Sequence, residues 1–189
     1  MERRAGPIMS ALPRASRAFA LAVSLATGGM AAQAGPPARV VSINLCTDQL
    51  AMLLAAPGQL ISVSHIAADP LVSVMADEAA RFRLNYGQAE EVHGLAPDLV
   101  LAGPYTSRYT VGLLRRLGVE VRELPVAERL SDIPATLALM GEWLGNPLGA
   151  EALAGEYRRG LAALAPDHAA RPRAVPHYAN NYPSGSQTL

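Results

Sequence analysis

Polar and aromatic side chains that could hold a small molecule follow three apolar segments of the sequence. Asn44 to Asp48 lie at the end of "RVVSINL", His65 to Asp69 follow "LISVS", and Pro104 to Arg108 follow "DLVLAG". Amide, carboxylate, imidazole and phenol groups orient a ligand, and aromatic rings give it broad apolar contact. The sequence contains no G-x-S-x-G, no P-loop and no G-x-G-x-x-G motif, so this pattern favours binding over catalysis.

We predict that the ligand contacts come from these three loops and from one tyrosine near the end of the chain. The predicted contacts are Asn44, Cys46, Thr47, Asp48, His65, Tyr105, Thr106 and Tyr182. An alternative for Thr47 and Asp48 is that they only cap the first helix.

Cysteine and histidine spacing argues against a metal centre. Cys46 is the only cysteine, which excludes an internal disulfide and a cysteine-rich metal site, and its simplest interpretation is a small side chain buried at a strand-to-helix turn. The histidines at 65, 93, 168 and 177 have neither H-E-x-x-H nor H-x-H spacing. We therefore predict no metal ligands.

Strand and helix patterns alternate through the part of the chain that must position these loops. The predicted strands are "RVVSINL", "LISVSH", "FRLNYG" in a less regular form, "DLVLAG" and "VEVREL", and the predicted helices are "TDQLAMLLAA", "PLVSVMADEAA", "AEEVHGL" and "SRYTVGLLRRL". Such alternation with short connections predicts an α/β fold, a parallel sheet with helices on both faces. In such a sheet, ligands bind at the carboxyl ends of the strands.

Two further helices are predicted after residue 130. Ser131 is the expected N-cap of the first, whose apolar side is formed by Ile133, Leu137, Met140 and Leu144. Gly145-Asn146-Pro147 ends it, and a second helix follows with Leu153, Tyr157, Leu161 and Leu164 at helical spacing. Both apolar stripes are expected to pack in the core.

Residues 1–34 have the pattern of a signal peptide. Four arginines precede the apolar stretch "AFALAVSLATGGMAA", and Ala32-Gln33-Ala34 fits a cleavage site before Gly35. A membrane anchor is the alternative, although the apolar run is short and contains Gly28-Gly29. Without the leader's four arginines and one glutamate, the 16 basic and 16 acidic residues leave a net charge of −3. Because there is no basic patch and no lysine, we expect no nucleic-acid partner.

Three stretches of the sequence resemble one family of transport proteins. "RVVSINLCTDQLAMLLA", then "AEEVHGLAPDLVLAGPYTSRYTVGLLRRLGVEVRELP", then "NNYPSGSQTL" after a helical connector are similar to periplasmic solute-binding proteins of iron-siderophore and cobalamin ABC importers. This family implies two α/β lobes joined by a long rigid helix, with the ligand held between the lobes.

The resemblance implies the following domain organisation. A signal peptide occupies 1–34, an amino-terminal α/β lobe 35–145, an interlobe connector helix 146–166, and the start of a truncated second lobe 167–189. A second lobe of similar size is expected after residue 175, where only 14 residues of the 189 follow. We therefore expect one lobe, the connector and a stub.

The resemblance also implies a ligand and partners. It predicts a protein that is not an enzyme and has no cofactor besides its ligand, and that delivers a metal chelate such as cobalamin or a ferric siderophore to an ABC permease and its ATPase. When complete, such a protein is expected to be monomeric. Glu90 in "AEEVHGLAPDLV" matches the acidic residue that docks onto an arginine of the permease. Haem is the alternative ligand, with Tyr105 or His65 as the axial group, and a non-functional one-lobe fragment is a further alternative.

Overall fold

The computed structural model describes residues 35–164, together with the backbone of 179–182 and 185–188. The predicted signal peptide at 1–34 and the side chain of Tyr182 lie outside the described residues. No helix among the described residues is long and apolar enough to cross a bilayer.

Five short strands form one sheet, and every neighbouring pair in it is parallel. The strands are β1 (Val40–Ser42), β2 (Leu60–Ser64), β3 (Arg83–Asn85), β4 (Leu99–Ala102) and β5 (Val121–Glu123). Their order in the sheet is β3-β2-β1-β4-β5. Strands β2 and β3 are added on one side of β1, and β4 and β5 on the other side. The strand order therefore reverses between β1 and β4, and a crevice opens at the carboxyl ends of these two strands.

Within residues 35–164, six α-helices and two 3₁₀ helices lie between or after these strands. The α-helices are α1 (Leu45–Leu54), α2 (Ala76–Ala79), α3 (Ala89–Gly94), α4 (Arg108–Arg116), α5 (Ile133–Leu144) and α6 (Pro147–Ala163), and the 3₁₀ helices are His65–Ala68 and Leu130–Asp132. Two further strands, β6 (Ala179–Tyr182) and β7 (Gly185–Thr188), pair as an antiparallel hairpin.

The central strands are buried on both faces, because successive side chains of a strand point to opposite sides. Val40 packs with α1, α5 and α6, whereas the next residue, Val41, packs with α3 and α4. The α/β class predicted from the sequence, with helices on both faces of a parallel sheet, is confirmed.

The predicted pair of carboxyl-terminal helices is also present. Leu137, Met140 and Leu144 of α5 are buried in the core, whereas Leu161 and Leu164 of the second stripe are 37% and 74% exposed. The expectation that both stripes pack in the core is therefore wrong for the end of α6. Gly145 ends α5 in the left-handed conformation with φ 74°, which costs glycine little. Helix α6 lies within the predicted connector at 146–166, and its role between two lobes stays a prediction.

Three predicted boundaries are wrong, each because a polar side chain binds nearby backbone. The first strand ends at Ser42 rather than at Leu45, since Asn44 caps α1 by accepting a hydrogen bond from the Cys46 N–H at 3.1 Å. The cap of α1 is thus neither Thr47 nor Asp48.

The helix predicted over residues 70–80 is reduced to α2. Asp69 accepts the Leu71 N–H with its side chain at 2.8 Å, and its carbonyl accepts the N–H groups of Val72 and Ser73. Ser73 then accepts the Met75 N–H with its hydroxyl at 3.2 Å. These local bonds compete with helical ones and hold residues 70–75 in turns.

Ser131 is not the N-cap of α5, because the chain forms a 3₁₀ turn there. Asp132, the third residue of that turn, bonds back to its start as in a capping box, since its Oδ2 accepts the N–H groups of Glu128 and Arg129 at 3.1 and 2.9 Å. Pro134 then stands in the first turn of α5, where its missing N–H costs no hydrogen bond.

Candidate ligand-binding site

A cavity of about 460 Å³ lies at the carboxyl edge of the sheet, beside the ends of β1, β4 and β5. Sixteen residues from four parts of the chain line it. They are Asn44, Cys46, Gln49, Leu50, Leu53, Val74, Met75, Gly103, Pro104, Tyr105, Leu124, Pro125, Val126, Ala127, Ile133 and Thr136. The cavity therefore occupies the crevice where the strand order reverses.

Asn44 and Gly103 form the floor of the cavity, where the chain leaves β1 and β4. A Cβ atom on Gly103 would lie 2.9 Å from both Cγ and Nδ2 of Asn44, so the asparagine side chain fits only against glycine. Its Oδ1 is held by the Cys46 N–H. The floor is thus fixed by a helix cap and a close backbone approach.

One wall is a single face of α1. Cys46, Gln49, Leu50 and Leu53 are spaced at i, i+3, i+4 and i+7, and such residues lie on one side of a helix. The polar residues stand at the start of the helix and the leucines further along. The wall therefore becomes more apolar from the amino end of α1 toward its carboxyl end.

The rim of the cavity exposes large apolar side chains from several elements. Leu53 is 52% exposed, Val74 91%, Tyr105 89% and Val126 54%. Apolar side chains with this degree of exposure, gathered around one concavity, are typical of a surface that another molecule covers. The cavity is open on this side.

The walls are electrically neutral. Within residues 35–164, none of the side chains that line the cavity is charged. Its polar groups are the amides of Asn44 and Gln49, the Cys46 thiol and the hydroxyls of Tyr105 and Thr136. Among the hydrogen bonds of the described part of the chain, none uses Nδ2 of Asn44 or Oε1 of Gln49, which leaves one amide donor and one amide acceptor for a ligand.

A buried polar network lies beneath the cavity, between β1, β2 and α1. Thr47 bonds the Ser42 hydroxyl at 2.7 Å and donates to the Asn44 carbonyl at 2.9 Å. The Asp48 carboxylate accepts the Ser64 N–H at 3.1 Å and also the Ser64 hydroxyl. This network fixes the start of α1 to the ends of both strands.

Asp48 is fully buried, and no salt bridge of the described residues includes it. Burial raises the pKa of the Asp48 carboxyl above its usual value, while the hydrogen bonds and the neighbouring His65 oppose this rise. A buried acid without a cationic partner is costly, and such groups are often retained for their effect on a nearby site.

The structure brings only some of the predicted contacts to the cavity. Asn44, Cys46 and Tyr105 line it, and their contact with a ligand stays a prediction. Thr47 and Asp48 were predicted as contacts, but both are fully buried and cannot touch a ligand there. Their contribution is to hold α1 in place.

Cys46 and Thr106 also differ from expectation. Cys46 is exposed at the cavity wall, so its interpretation as a buried side chain is wrong: helix α1 begins at Leu45, one residue before it, and turns it outward. Thr106 does not line the cavity, and its hydroxyl accepts the Gly103 N–H at 3.0 Å. It shapes the turn after β4.

His65 lies on the same sheet edge but does not line the cavity. Its ring stacks on Tyr86, with centroids 4.6 Å apart and planes inclined by 26°. Tyr86 was absent from the predicted contacts, although its position directly after "FRLN" marks it as the end of a strand.

Glu90 is exposed in the first turn of α3, as docking would require.

Most apolar residues of the cavity were also missed. Leu50 and Leu53 could have been found from the helical spacing that begins at Cys46. Leu124 to Ala127 and Thr136 are brought to the cavity by the topology alone, which no local pattern reveals. In the described part of the chain, no group of three His, Cys, Asp or Glu side chains is placed to hold a metal ion.

Comparisons with known proteins agree with the motifs. A cobalamin-binding protein of Halobacterium salinarum is 30% identical over 157 residues, which cover 81% of this chain and 42% of that protein. No family model matches the sequence.

Two solved structures share the fold. A periplasmic heme-binding protein of Pseudomonas aeruginosa has a TM-score of 0.57 and 25% identity, covering 67% of this chain and 45% of that one. A periplasmic vitamin B12-binding protein of Vibrio cholerae has a TM-score of 0.55 and 23% identity, covering 69% of this chain and 51% of that one. The resemblance to periplasmic solute-binding proteins is thus confirmed, over about half the length of these relatives or less.

Proposed function

We propose that this chain is the ligand-binding part of a periplasmic solute-binding protein that takes a metal chelate, with a corrinoid such as cobalamin as the first candidate. The observation that carries the proposal is the neutral, largely apolar cavity at the reversal point of the sheet. The similarity to a cobalamin-binding protein supports the same ligand class. Because these relatives are binding proteins, we propose transport rather than catalysis.

The neutrality of the cavity favours a corrinoid over an anionic chelate. A cobalamin carries several neutral amide side groups, which can accept from Nδ2 of Asn44 and donate to Oε1 of Gln49. An anionic ferric siderophore would have to be desolvated against uncharged walls, which is costly without a cationic partner. We therefore place siderophores behind corrinoids.

Haem is the second candidate, and Tyr105 is the specific observation in its favour. Its phenol stands at the rim with 89% of the residue exposed, and a tyrosine is one of the axial groups that hold haem iron in proteins. The structural similarity to a heme-binding protein supports this alternative. The two carboxylates of haem would require cations from outside the cavity described above.

A matched pair of leucines tests the site. Leu53 lies at the rim of the cavity, whereas Leu148, at the start of α6 and 85% exposed, does not line it. We expect Leu53→Glu to weaken cyanocobalamin binding at least about tenfold, because it places a charge on an apolar contact surface, and Leu148→Glu to have no effect. Spectroscopic titrations with cyanocobalamin and with haem measure both.

Three outcomes of these titrations are decisive. Equal loss in the two variants contradicts the site. Haem binding that exceeds cobalamin binding and is lost on Tyr105→Phe selects the alternative ligand. Absence of binding to either compound at millimolar concentration contradicts the proposed ligand class.

The described lobe contacts a ligand on one side only, so we expect weak binding by residues 35–189. Association must first overcome about 4 to 15 kcal/mol of lost translational and rotational freedom. At the lower end of this cost, half of the contacts of a nanomolar site would give a dissociation constant near millimolar. Submicromolar one-to-one binding in calorimetry would show that the cavity is a complete site.

We also propose that Glu90 docks the protein on an ABC permease in the periplasm, after removal of residues 1–34. Glu90 is exposed and forms no ion pair within residues 35–164. Glu90→Arg should weaken association with the permease and leave ligand affinity unchanged, because rim charges mainly set association. Glu156→Arg on α6 is the control, and equal transport by the two variants would contradict docking at Glu90.

A further inference from the structure

The carboxyl edge of the sheet carries a second group of ligand-type side chains, outside the cavity. His65 and Tyr86 stack with their ring centroids 4.6 Å apart. Both residues are exposed, and Tyr86 is 67% exposed. An aromatic stack with this much open ring surface can take a further ring.

The register of the sheet explains why these two rings meet. Strands β2 and β3 are parallel, and Ser64 is paired with Asn85 at their carboxyl ends. His65 and Tyr86 are the next residues along the two strands, so they leave the sheet side by side. Their proximity is a property of the fold.

The backbone on both sides of the stack is fixed by hydrogen bonds. The Ser64 N–H donates to the buried carboxylate of Asp48 at 3.1 Å. Asn85 is fully buried and donates to the Ser42 carbonyl and the Ser62 hydroxyl, each at 2.9 Å. The Tyr86 N–H donates to the Glu91 carboxylate at 2.8 Å. Rings held on such a backbone lose little freedom when a ligand binds.

The distance between the stack and the cavity limits the size of the ligand. The cavity floor lies between β1 and β4, whereas the stack stands on β2 and β3. Strands are spaced by about 4.8 Å, so the middle of the stack lies two strand spacings, about 10 Å, from the middle of the cavity floor. A ligand that contacts both regions must be a large molecule, such as a macrocycle with a side arm.

We propose that the His65–Tyr86 pair is a second subsite that stacks on a planar heteroaromatic group of the ligand. It rests on the proposed function: in a corrinoid bound at the cavity, this group is the benzimidazole base of the nucleotide arm. The corrin ring, whose saturated periphery carries methyl and amide groups, suits the apolar cavity wall. The aromatic base suits the flat stack.

Saturation-transfer difference NMR with the full chain and cyanocobalamin tests this assignment. The technique detects which ligand protons lie against the protein, and the aromatic protons of the base are resolved from the methyl protons of the corrin. We expect both groups to receive saturation from the unmodified protein. In Tyr86→Ala the signal of the base should be lost while that of the corrin methyl groups persists.

Affinity measurements with two ligands complement the spectra. Tyr86→Ala should weaken cobalamin binding about 2- to 10-fold, the usual range for a lost aromatic pair, and leave binding of cobinamide, which lacks the base, unchanged. Tyr86→Phe should retain the cobalamin affinity, because it keeps the ring. His65→Ala should resemble Tyr86→Ala, and Leu148→Ala should have no effect.

The outcomes separate this proposal from the one on which it rests. If corrin methyl groups receive saturation and the base does not, the cavity binds a corrinoid and the second subsite is refuted. If Tyr86→Ala weakens cobalamin and cobinamide equally, Tyr86 has only a structural role and the subsite is again refuted. If no corrinoid proton receives saturation, the corrinoid assignment fails together with the subsite.

Discussion

The two edges of the sheet use their polar residues in opposite ways. At the amino edge, Gln59 donates to the carbonyls of Pro37 and Leu144 at 2.7 and 2.9 Å and accepts the Ala56 N–H at 2.8 Å. Asp98 accepts two backbone N–H groups in the same region, at 2.8 and 2.9 Å. These side chains are fully used in holding loops to the sheet.

At the carboxyl edge, the polar side chains that form several hydrogen bonds lie beneath the cavity. The amide groups without a partner among the described residues face the cavity. Asp48 and Thr47 bind their neighbours in the interior, while Gln49 contributes one long hydrogen bond of 3.4 Å to Ser73. Apolar side chains such as Val74 remain exposed there. The amino edge therefore uses its polar side chains for stability, whereas the carboxyl edge leaves polar and apolar side chains exposed around the cavity.

The largest effect is expected at the amino edge. Gln59→Ala removes three hydrogen bonds from a buried position and should lower the free energy of unfolding by about 2 to 4 kcal/mol. Urea unfolding measures this loss. Ligand affinity of the folded fraction should not change, and a large affinity loss would show that the two edges are not independent.

Gly103→Ala should disturb the floor of the cavity. The new Cβ would lie 2.9 Å from the Asn44 side chain, and such overpacking costs about 1 to 3 kcal/mol. Since Asn44 must move, cyanocobalamin affinity should fall as well. Gly112→Ala in α4 is the matched control, because its Cβ would meet only the Arg116 side chain at 3.9 Å, and it should stabilise the protein by about 0.5 to 1 kcal/mol. If Gly103→Ala changes neither the free energy of unfolding nor the cyanocobalamin affinity, the close packing of Gly103 against Asn44 is contradicted.

Asp48→Asn should change how stability depends on pH. Because the pKa of Asp48 is raised in the folded protein, its contribution to stability is fully present at acid pH and is lost as pH rises through the raised pKa. The asparagine cannot ionise and can still bond Ser64. The variant should therefore gain stability over the unmodified protein as pH rises from 4 to 7 in urea unfolding experiments. A difference in the free energy of unfolding that stays constant over this range would refute the cost of the buried charge.

The smallest stability effect is expected for Gln49→Ala, the counterpart of Gln59 at the opposite edge. Its single long hydrogen bond should contribute no more than about 0.5 kcal/mol to stability. Its free Oε1 should nevertheless matter for the ligand, so cyanocobalamin affinity should fall several-fold. A loss of stability as large as that of Gln59→Ala would remove the distinction between the edges.

The sheet could be predicted from the sequence because its signals are local. Apolar runs such as "DLVLAG" and helical stripes such as that of Leu137, Met140 and Leu144 express the burial pattern directly. The boundaries failed where a side chain competes for backbone hydrogen bonds, as at Asn44 and Asp69. Which residue of a polar cluster forms such a hydrogen bond depends on the local geometry, which the sequence alone does not give.

The site was predicted only at its polar positions. Asn44, Cys46 and Tyr105 follow strand ends, and the rule that loops after parallel strands meet at one edge was enough to find them. The apolar segment after β5 and the stacked Tyr86 depend on the strand order β3-β2-β1-β4-β5. Burial of Asp48 was missed for a different reason, because α1 begins at Leu45, two residues before the predicted start of that helix at Thr47.

Asn146 gives α1 a mechanical role. Its Nδ2 donates to the carbonyl of Leu54 at 2.9 Å, and its Oδ1 accepts the Gly149 N–H at 3.0 Å in the first turn of α6. Helix α1 is therefore clamped at its far end to the origin of α6 and at its near end, through Asn44, to the cavity floor. With ten residues it is a strut about 15 Å long. A displacement of the α6 origin would act along this strut, so the position of the cavity wall formed by α1 depends on where α6 begins.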